Sequence, residues 1–335
     1  MRTRIGAPVT MVTGLLCTAT ILGLAPSLTV AAGQEQRGSA VSGQQASAAT
    51  ADRQPESDEQ PPEASRDGTV RPHERGRESE LEFVRIKKEG KVPVALQTAI
   101  VTYRREDGTG PEVTLIGAIH VGEREYYQRL NELFQQFDAL LFEMVMDPQG
   151  GIPDPEERGV SPVSTIQVGL KEALGLSFQL DEIDYHAANF VHADMTPEEF
   201  FETMRKRKEG VLQMFLRSVG ASLAMQSAGQ ANDLDLITAL MAQDSQAALR
   251  RAFAEQMSLM DGQMAALTGE DGKSTLITER NAKAMEVLQR EIAAGKKKLG
   301  IFYGAGHLED MHRRLVDEFG LRPVDTQWLD AWSLR

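Results

Sequence analysis

Two segments of this chain place a histidine three residues after a glycine, each at the end of an apolar run. Leu115-Ile116-Gly117-Ala118-Ile119-His120 leads into Glu123 and Glu125, and Phe302-Tyr303-Gly304-Ala305-Gly306-His307 leads into Glu309 and Asp310. Each reads as a buried strand, small residues, a histidine and the start of a helix. Two of only six histidines share this context, which coincidence explains poorly. A third apolar run, Ala139-Leu140-Leu141-Phe142, ends in Glu143. Two imidazoles and one carboxylate with an open position can hold a divalent cation and a water. The cation acidifies the water and polarises a carbonyl, which is the chemistry of metal-assisted hydrolysis. Gly117 and Gly304 let the backbone turn sharply and leave room for a bound group beside each imidazole. The pattern is short, a single histidine is more often a hydrogen-bonded structural residue, and no HExxH helix accompanies it.

The elements that must position these groups follow from periodicity. Val94 to Tyr103 predicts a strand, Asp107 to Gly110 a turn, and Val113 to Ile119 a second strand. Tyr126, Leu130, Leu133, Phe134 and Phe137 fall at helical spacing. Residues 139–142 suit a parallel strand covered on both faces. Asp147 to Gly159 is a loop, Val163 to Leu174 a helix, and Phe178 to Ile183 a strand. Thr196-Pro197-Glu198-Glu199 opens a helix with a capping box. The pattern then stays helical to about Leu267, with a stripe of Leu249, Phe253, Met257, Met260, Met264 and Leu267. That stripe reads as flexible core filler rather than a copper or ligand site. Leu276 to Ala294 predicts a helix ending at Gly295, Leu299 to Tyr303 a strand, His307 to Phe319 a helix and Val324 to Trp328 a last strand.

The expected architecture is α/β, with a central mixed, largely parallel sheet and a large helical insertion over about 160–270. In such sheets ligands bind in the crevice outside the carboxyl ends of the strands. If the two Gly-containing strands are neighbours, about 4.8 Å apart, both imidazoles and Glu143 emerge at that edge. A further polar cluster, Asp181 to His186 with His192 and Asp194, could add a ligand or orient an imidazole, although a surface loop is the simpler reading.

Composition limits the partners. A net charge of −13 argues against nucleic acid, which needs clustered Lys and Arg. Lys296 to Lys298 reads as a solvated helix end. No phosphate-cradling loop and no nucleophile elbow is present. Residues 1–32 read as a signal peptide: Arg2 and Arg4, an apolar stretch from Met11 to Leu24, then Val30-Ala31-Ala32 before Gly33. The stretch is shorter than the roughly 20 residues of a spanning helix, so no stable membrane anchor is expected after cleavage. Export then makes the chain periplasmic or secreted, and losing Arg2 and Arg4 takes the charge from −13 to −15. Cys17, the sole cysteine, leaves with the signal, so a metal site must use His and carboxylates. Residues 33–80 hold almost no large apolar side chains and predict a disordered linker, leaving one ordered domain over 81–335.

The paired GxxH segments flanking a helical region, with a glutamate ending the next strand, resemble the TraB/TIKI superfamily, which includes GumN-like proteins. The matching points are Gly117 with His120, Glu143, the pair Arg280-Asn281, and Gly304 with His307, and the likeness spans about residues 95–332. The resemblance implies two related halves and, in the TIKI branch, metal-dependent peptidase activity. It implies that His120, Glu143 and His307 form the metal or catalytic cluster, and that Arg280 grips a substrate carboxylate or positions Glu143. From its neighbours alone, Arg280 reads equally as an exposed ion pair with Glu279 or Glu286. The expected function is an exported metal-dependent hydrolase acting on a peptide or protein, with Zn, Mn, Co or Fe suiting the ligand set about equally. The alternative is a non-catalytic envelope protein that binds haem or a peptide. Substrate and oligomeric state are not fixed by the sequence.

Overall fold

The computed structural model describes residues 81–150, 173–209, 238–239, 241–260 and 273–335. The expected signal peptide and linker lie outside these residues, as do residues 151–172, 210–237, 240 and 261–272, which include part of the expected helical insertion. The elements are β1 (Val84–Glu89), β2 (Val92–Arg104), β3 (Glu112–Ala118), β4 (Val121–Gly122), α1 (Arg124–Phe134), β5 (Ala139–Phe142), β6 (Ser177–Phe178), α2 (Gln179–Glu182), β7 (Phe190–His192), α3 (Pro197–Lys206), α4 (Ser245–Met260), α5 (Arg280–Ala293), β8 (Lys298–Gly304), α6 (Leu308–Asp317) and β9 (Arg322–Ser333). A π-turn, Thr275–Glu279, leads into α5, and a 3-10 turn, Ala305–His307, leads into α6.

The sheet is mixed and, with its helices, consistent with an α/β fold. Its path runs β1-β2-β3-β8-β5-β7, with β9 along the free side of β2. The flank built on β2 is antiparallel, to β1, β3 and β9. From β3 onward the strands are parallel: β3 with β8, β8 with β5, β5 with β7. The two Gly-containing strands are therefore direct neighbours, Gly117 opposite Tyr303 and Ala118 opposite Gly304.

Alternation along β8 explains why its run is apolar throughout. Leu299, Ile301 and Tyr303 join a core with Ala284, Met285 and Leu288 of α5 and Leu308, Met311 and Leu315 of α6. Phe302 faces the opposite core, with Tyr126, Tyr127, Leu130 and Phe134 of α1 and Leu249, Phe253 and Met257 of α4. Helices thus cover both faces of the parallel strands. The three described stripe residues of α4 are core packing. The Thr196 capping box forms as its spacing predicts, Thr196 Oγ1 accepting from Glu199 N at 3.2 Å and Glu199 Oε2 from Thr196 N at 2.9 Å.

Three local expectations change. The strand expected over 178–183 stops at Phe178, and Gln179 to Glu182 form a helical turn. Gln179 N donates to His120 O at 2.8 Å and Asn131 Nδ2 to Glu182 O at 2.8 Å, so both ends of the turn are held by tertiary partners. The first histidine does not open its helix directly: Val121-Gly122 pair with Ser177-Phe178, and α1 begins at Arg124. The last strand, expected to be short, runs for 12 residues because it pairs along most of the 13-residue β2.

Candidate active site

Four parallel strands end at one edge of the sheet, and each delivers a polar residue there. Glu143 follows Phe142, which pairs with Phe302 on one side and His192 on the other, so Glu143 lies level with Tyr303 and Ala193. His120 follows β3, Asp194 follows β7, and Gly304 and His307 close β8. Buried apolar residues fix β3, β5 and β8 in the core, β7 lies half-buried beside β5, and polar residues just past their ends fall in the crevice.

Arg280, at the start of α5, crosses this edge and is fully buried. Its Nη2 donates to Glu143 Oε1 at 2.8 Å and to Asp194 Oδ2 at 2.5 Å, and its Nε to Asp194 Oδ1 at 2.9 Å. The exposed pairing with Glu279 or Glu286 does not form: Glu279 faces Arg207 at 3.5 Å and Glu286 faces Lys283 at 3.9 Å. The other Glu143 oxygen accepts from Gly304 N at 2.6 Å, so Gly304 serves the site through its backbone amide. A Cβ on Gly117 would meet Ala99 O and Leu308 Cδ1 at 3.3 Å, so the missing side chain lets β3 pack closely against β2 and the start of α6.

His307 is fully buried, with Nε2 3.4 Å from Glu143 Oε1 and Nδ1 2.7 Å from Asn281 Oδ1. The Tyr303 ring packs edge-on against its imidazole at 5.3 Å, and the Tyr303 hydroxyl donates to Ala193 O at 2.5 Å. His120 is half-buried. His192 turns to Met144 O at 2.7 Å, and His186 is exposed, so neither joins the cluster.

Burial alone would raise the Glu143 pKa, but the facing charges of His307, Arg280 and His120 overcome it and hold this carboxyl well below the usual carboxylate range. Burial would lower Arg280, and Asp194 and Glu143 reverse that, keeping the guanidinium charged. Burial pushes the Tyr303 hydroxyl well up, so it stays protonated. Two carboxylates face one guanidinium, which leaves one negative charge for an imidazolium or a bound cation to balance.

That deficit, and the 3.4 Å between His307 Nε2 and Glu143 Oε1, suit a cation. Two donors at about 2.0–2.2 Å from a tetrahedral ion stand roughly that far apart. The donor pair fits. The full set of three is not brought together, for among the described residues no three His, Cys, Asp or Glu form a metal-holding group.

Sequence reasoning located Glu143, His307 and Asn281 but gave Asp194 only a minor role. Its signal was weak: the apolar run Phe190-Val191 is broken by His192 before Asp194 is reached, whereas Glu143 directly follows Phe142. The role of Asp310, which accepts from Asn281 Nδ2 at 2.9 Å, had no signal beyond its place in a first helical turn. No family model, curated protein or solved structure matches this chain at a significant level.

Proposed function

We propose that this protein is an exported hydrolase of the TraB/TIKI type, acting on a peptide or protein substrate at the cluster of His120, Glu143, Arg280 and His307. The observation that supports it is the buried ionic group Arg280–Glu143–Asp194, with His307 beside it, at the carboxyl edge of four parallel strands. Buried charge contributes weakly to stability relative to apolar packing, so its presence at a ligand-binding edge points to chemistry. The paired strand–Gly–His segments and the helical block between them accord with two related halves and an insertion over about 160–270.

His120 is the more exposed member, with its Nε2 buried, and in this reading it is the group that meets substrate. Glu143 is held ionised behind it. Arg280 sets the position of Glu143 and Asp194 rather than gripping substrate, because it is sealed from solvent. Glu143 and His307 are the pair that would hold a divalent ion, which would supply carbonyl polarisation and an acidified water.

A metal-free reading rests on the 2.8 Å contact that already commits Glu143 Oε1 to Arg280. In it, His120 acts as general base and Glu143 stabilises the imidazolium.

The deciding experiment uses the mature chain without a His-tag. Elemental analysis is paired with cleavage of a peptide library, with and without chelator and with Zn, Mn, Co or Fe added back. Cleavage should fall about 10²–10⁴-fold in His120→Ala and comparably in Glu143→Gln, with the fold retained by circular dichroism. No cleavage by the wild type under any of these conditions, or undiminished cleavage by His120→Ala, overturns the proposal. Chelator-resistant cleavage selects the metal-free form.

A further inference from the structure

Behind His307 lies a chain of polar groups that the proposed chemistry does not use. Asn281 is fully buried on α5, one residue past Arg280, and makes three contacts. Its Oδ1 lies 2.7 Å from His307 Nδ1, while its Nδ2 lies 3.0 Å from His307 O and 2.9 Å from Asp310 Oδ2. Asp310 is held in turn by Arg314 Nε at 2.7 Å and by Arg313 Nη2 at 2.5 Å. The arginine contacts, with that from Asn281, outweigh burial and keep the Asp310 carboxyl low.

These partners leave the Asn281 amide one orientation. A backbone carbonyl and a carboxylate only accept, so the group facing both must be the NH2. Reversing the amide would set its oxygen against two acceptors inside a buried site, losing two hydrogen bonds at once. The oxygen is thereby committed to His307 Nδ1, and a carbonyl oxygen accepts. Nδ1 must therefore carry the proton.

We infer that Asn281, oriented by Asp310 and by the carbonyl of His307, is a positioning residue that fixes His307 as the Nδ1–H tautomer, presenting the Nε2 lone pair toward Glu143. The opposing pull comes from Glu143 Oε1, which would draw the proton to Nε2. It is the weaker one, because 3.4 Å is outside good hydrogen-bond range and that oxygen already accepts from Arg280 at 2.8 Å. The bond to Asn281 at 2.7 Å is short and enclosed. A lone pair at Nε2 is what a metal ligand or a general base needs at that position. The inference thus deepens the hydrolase reading, and its value for function rests on that reading.

The test reads the tautomer directly and does not depend on activity. Long-range 1H–15N correlation spectra are recorded on chelator-treated, 15N-histidine-labelled full-length protein at alkaline pH, where a neutral ring carries one proton. His307 is assigned by the loss of its signals in His307→Gln. The wild type should show Nδ1 protonated and Nε2 bare. In Asn281→Leu the balance should move toward Nε2–H by about tenfold, the weight of one buried hydrogen bond. Asn281→Asp combined with Asp310→Asn exchanges the carboxylate and the amide, so that Nδ1 keeps an acceptor and the second oxygen of residue 281 gains a donor. This double variant should keep the wild-type tautomer, a rescue that general loosening of the site would not give. A wild-type ring protonated at Nε2, or an unchanged ring in Asn281→Leu, overturns the inference. The wild-type spectrum decides the matter even if Asn281→Leu fails to fold. The Nδ1–H tautomer in a protein that cleaves nothing would retain the inference and remove the hydrolase reading.

Discussion

At Arg280 a guanidinium sealed from solvent pairs with Glu143 and Asp194 together. Removing it strands two carboxylates in a low-dielectric interior, so Arg280→Met should cost about 3–5 kcal/mol in urea unfolding. Arg280→Lys keeps the charge but loses the fork that reaches both carboxylates, and should fall between that variant and the wild type. An Arg280→Met protein as stable as the wild type would show that the cluster is not ionised as drawn. Glu143 gives the pH dependence. Its folded pKa is depressed below the unfolded value, so its contribution is complete above the ordinary carboxylate range near pH 4.5 and drains away as pH falls below it. Wild-type stability should therefore drop between about pH 4.5 and 3 more steeply than that of Glu143→Gln, which has no such proton to take up. Parallel slopes would count against the depressed carboxyl. At this scale the sequence was legible where a polar residue follows a continuous buried strand, as at Glu143 and His307. It was less legible at Asp194, whose strand has three residues, and at Arg280, whose neighbours in sequence are the wrong partners.

Elements place these groups through one departure from regular helix geometry and through close packing of the strands. The π-turn Thr275–Glu279 sits directly before Arg280 and sets the rotation at which Arg280 and Asn281 leave the helix. Successive residues of an α-helix diverge by about 100°, which lets one point to Glu143 while the other points to His307. Helical periodicity announced a helix from Leu276 but carried no trace of the wider turn, because its buried residues fit either winding. Deleting Ile277 should tighten the turn to α and rotate both side chains off target. Amide spectra of Gly304 and His307 should then shift while those of β1 and β2 hold, and unshifted site amides would reject this role. Close packing between strands is the second device. A Cβ on Gly300 would stand 2.5 Å from Leu140 Cδ1 and 3.0 Å from Phe137, both in the rigid core beneath α1. Gly300→Ala should therefore destabilise by about 1–3 kcal/mol through overpacking, measured as a shift in urea midpoint at unchanged slope.

Across the whole molecule, the two histidine segments are supported from different directions. His307 is enclosed by α5 and α6 through Asn281 and Asp310. The His120 segment leans instead on the chain's last strand: Trp332 Nε1 donates to Val121 O at 2.7 Å, and Glu123 N donates to Ala331 O at 3.0 Å. Arg250 of α4 ties the same region together, reaching Glu123 Oε1 at 2.7 Å and Ser333 O at 3.3 Å. The antiparallel pairing of β9 on β2 thus reaches the site through the backbone of residues 121–123, a link between the two ends of the domain that no local pattern announces. Trp332→Phe tests it, since it keeps an aromatic ring but removes the donor, leaving the carbonyl of Val121 without its indole partner at a cost of about 1–3 kcal/mol. Hydrogen exchange should then accelerate at Val121 to Glu123 by about an order of magnitude or more while Gly304 to His307 keep their protection. Equal acceleration at both segments would mean that β9 supports the sheet as a whole and has no particular hold on the first histidine.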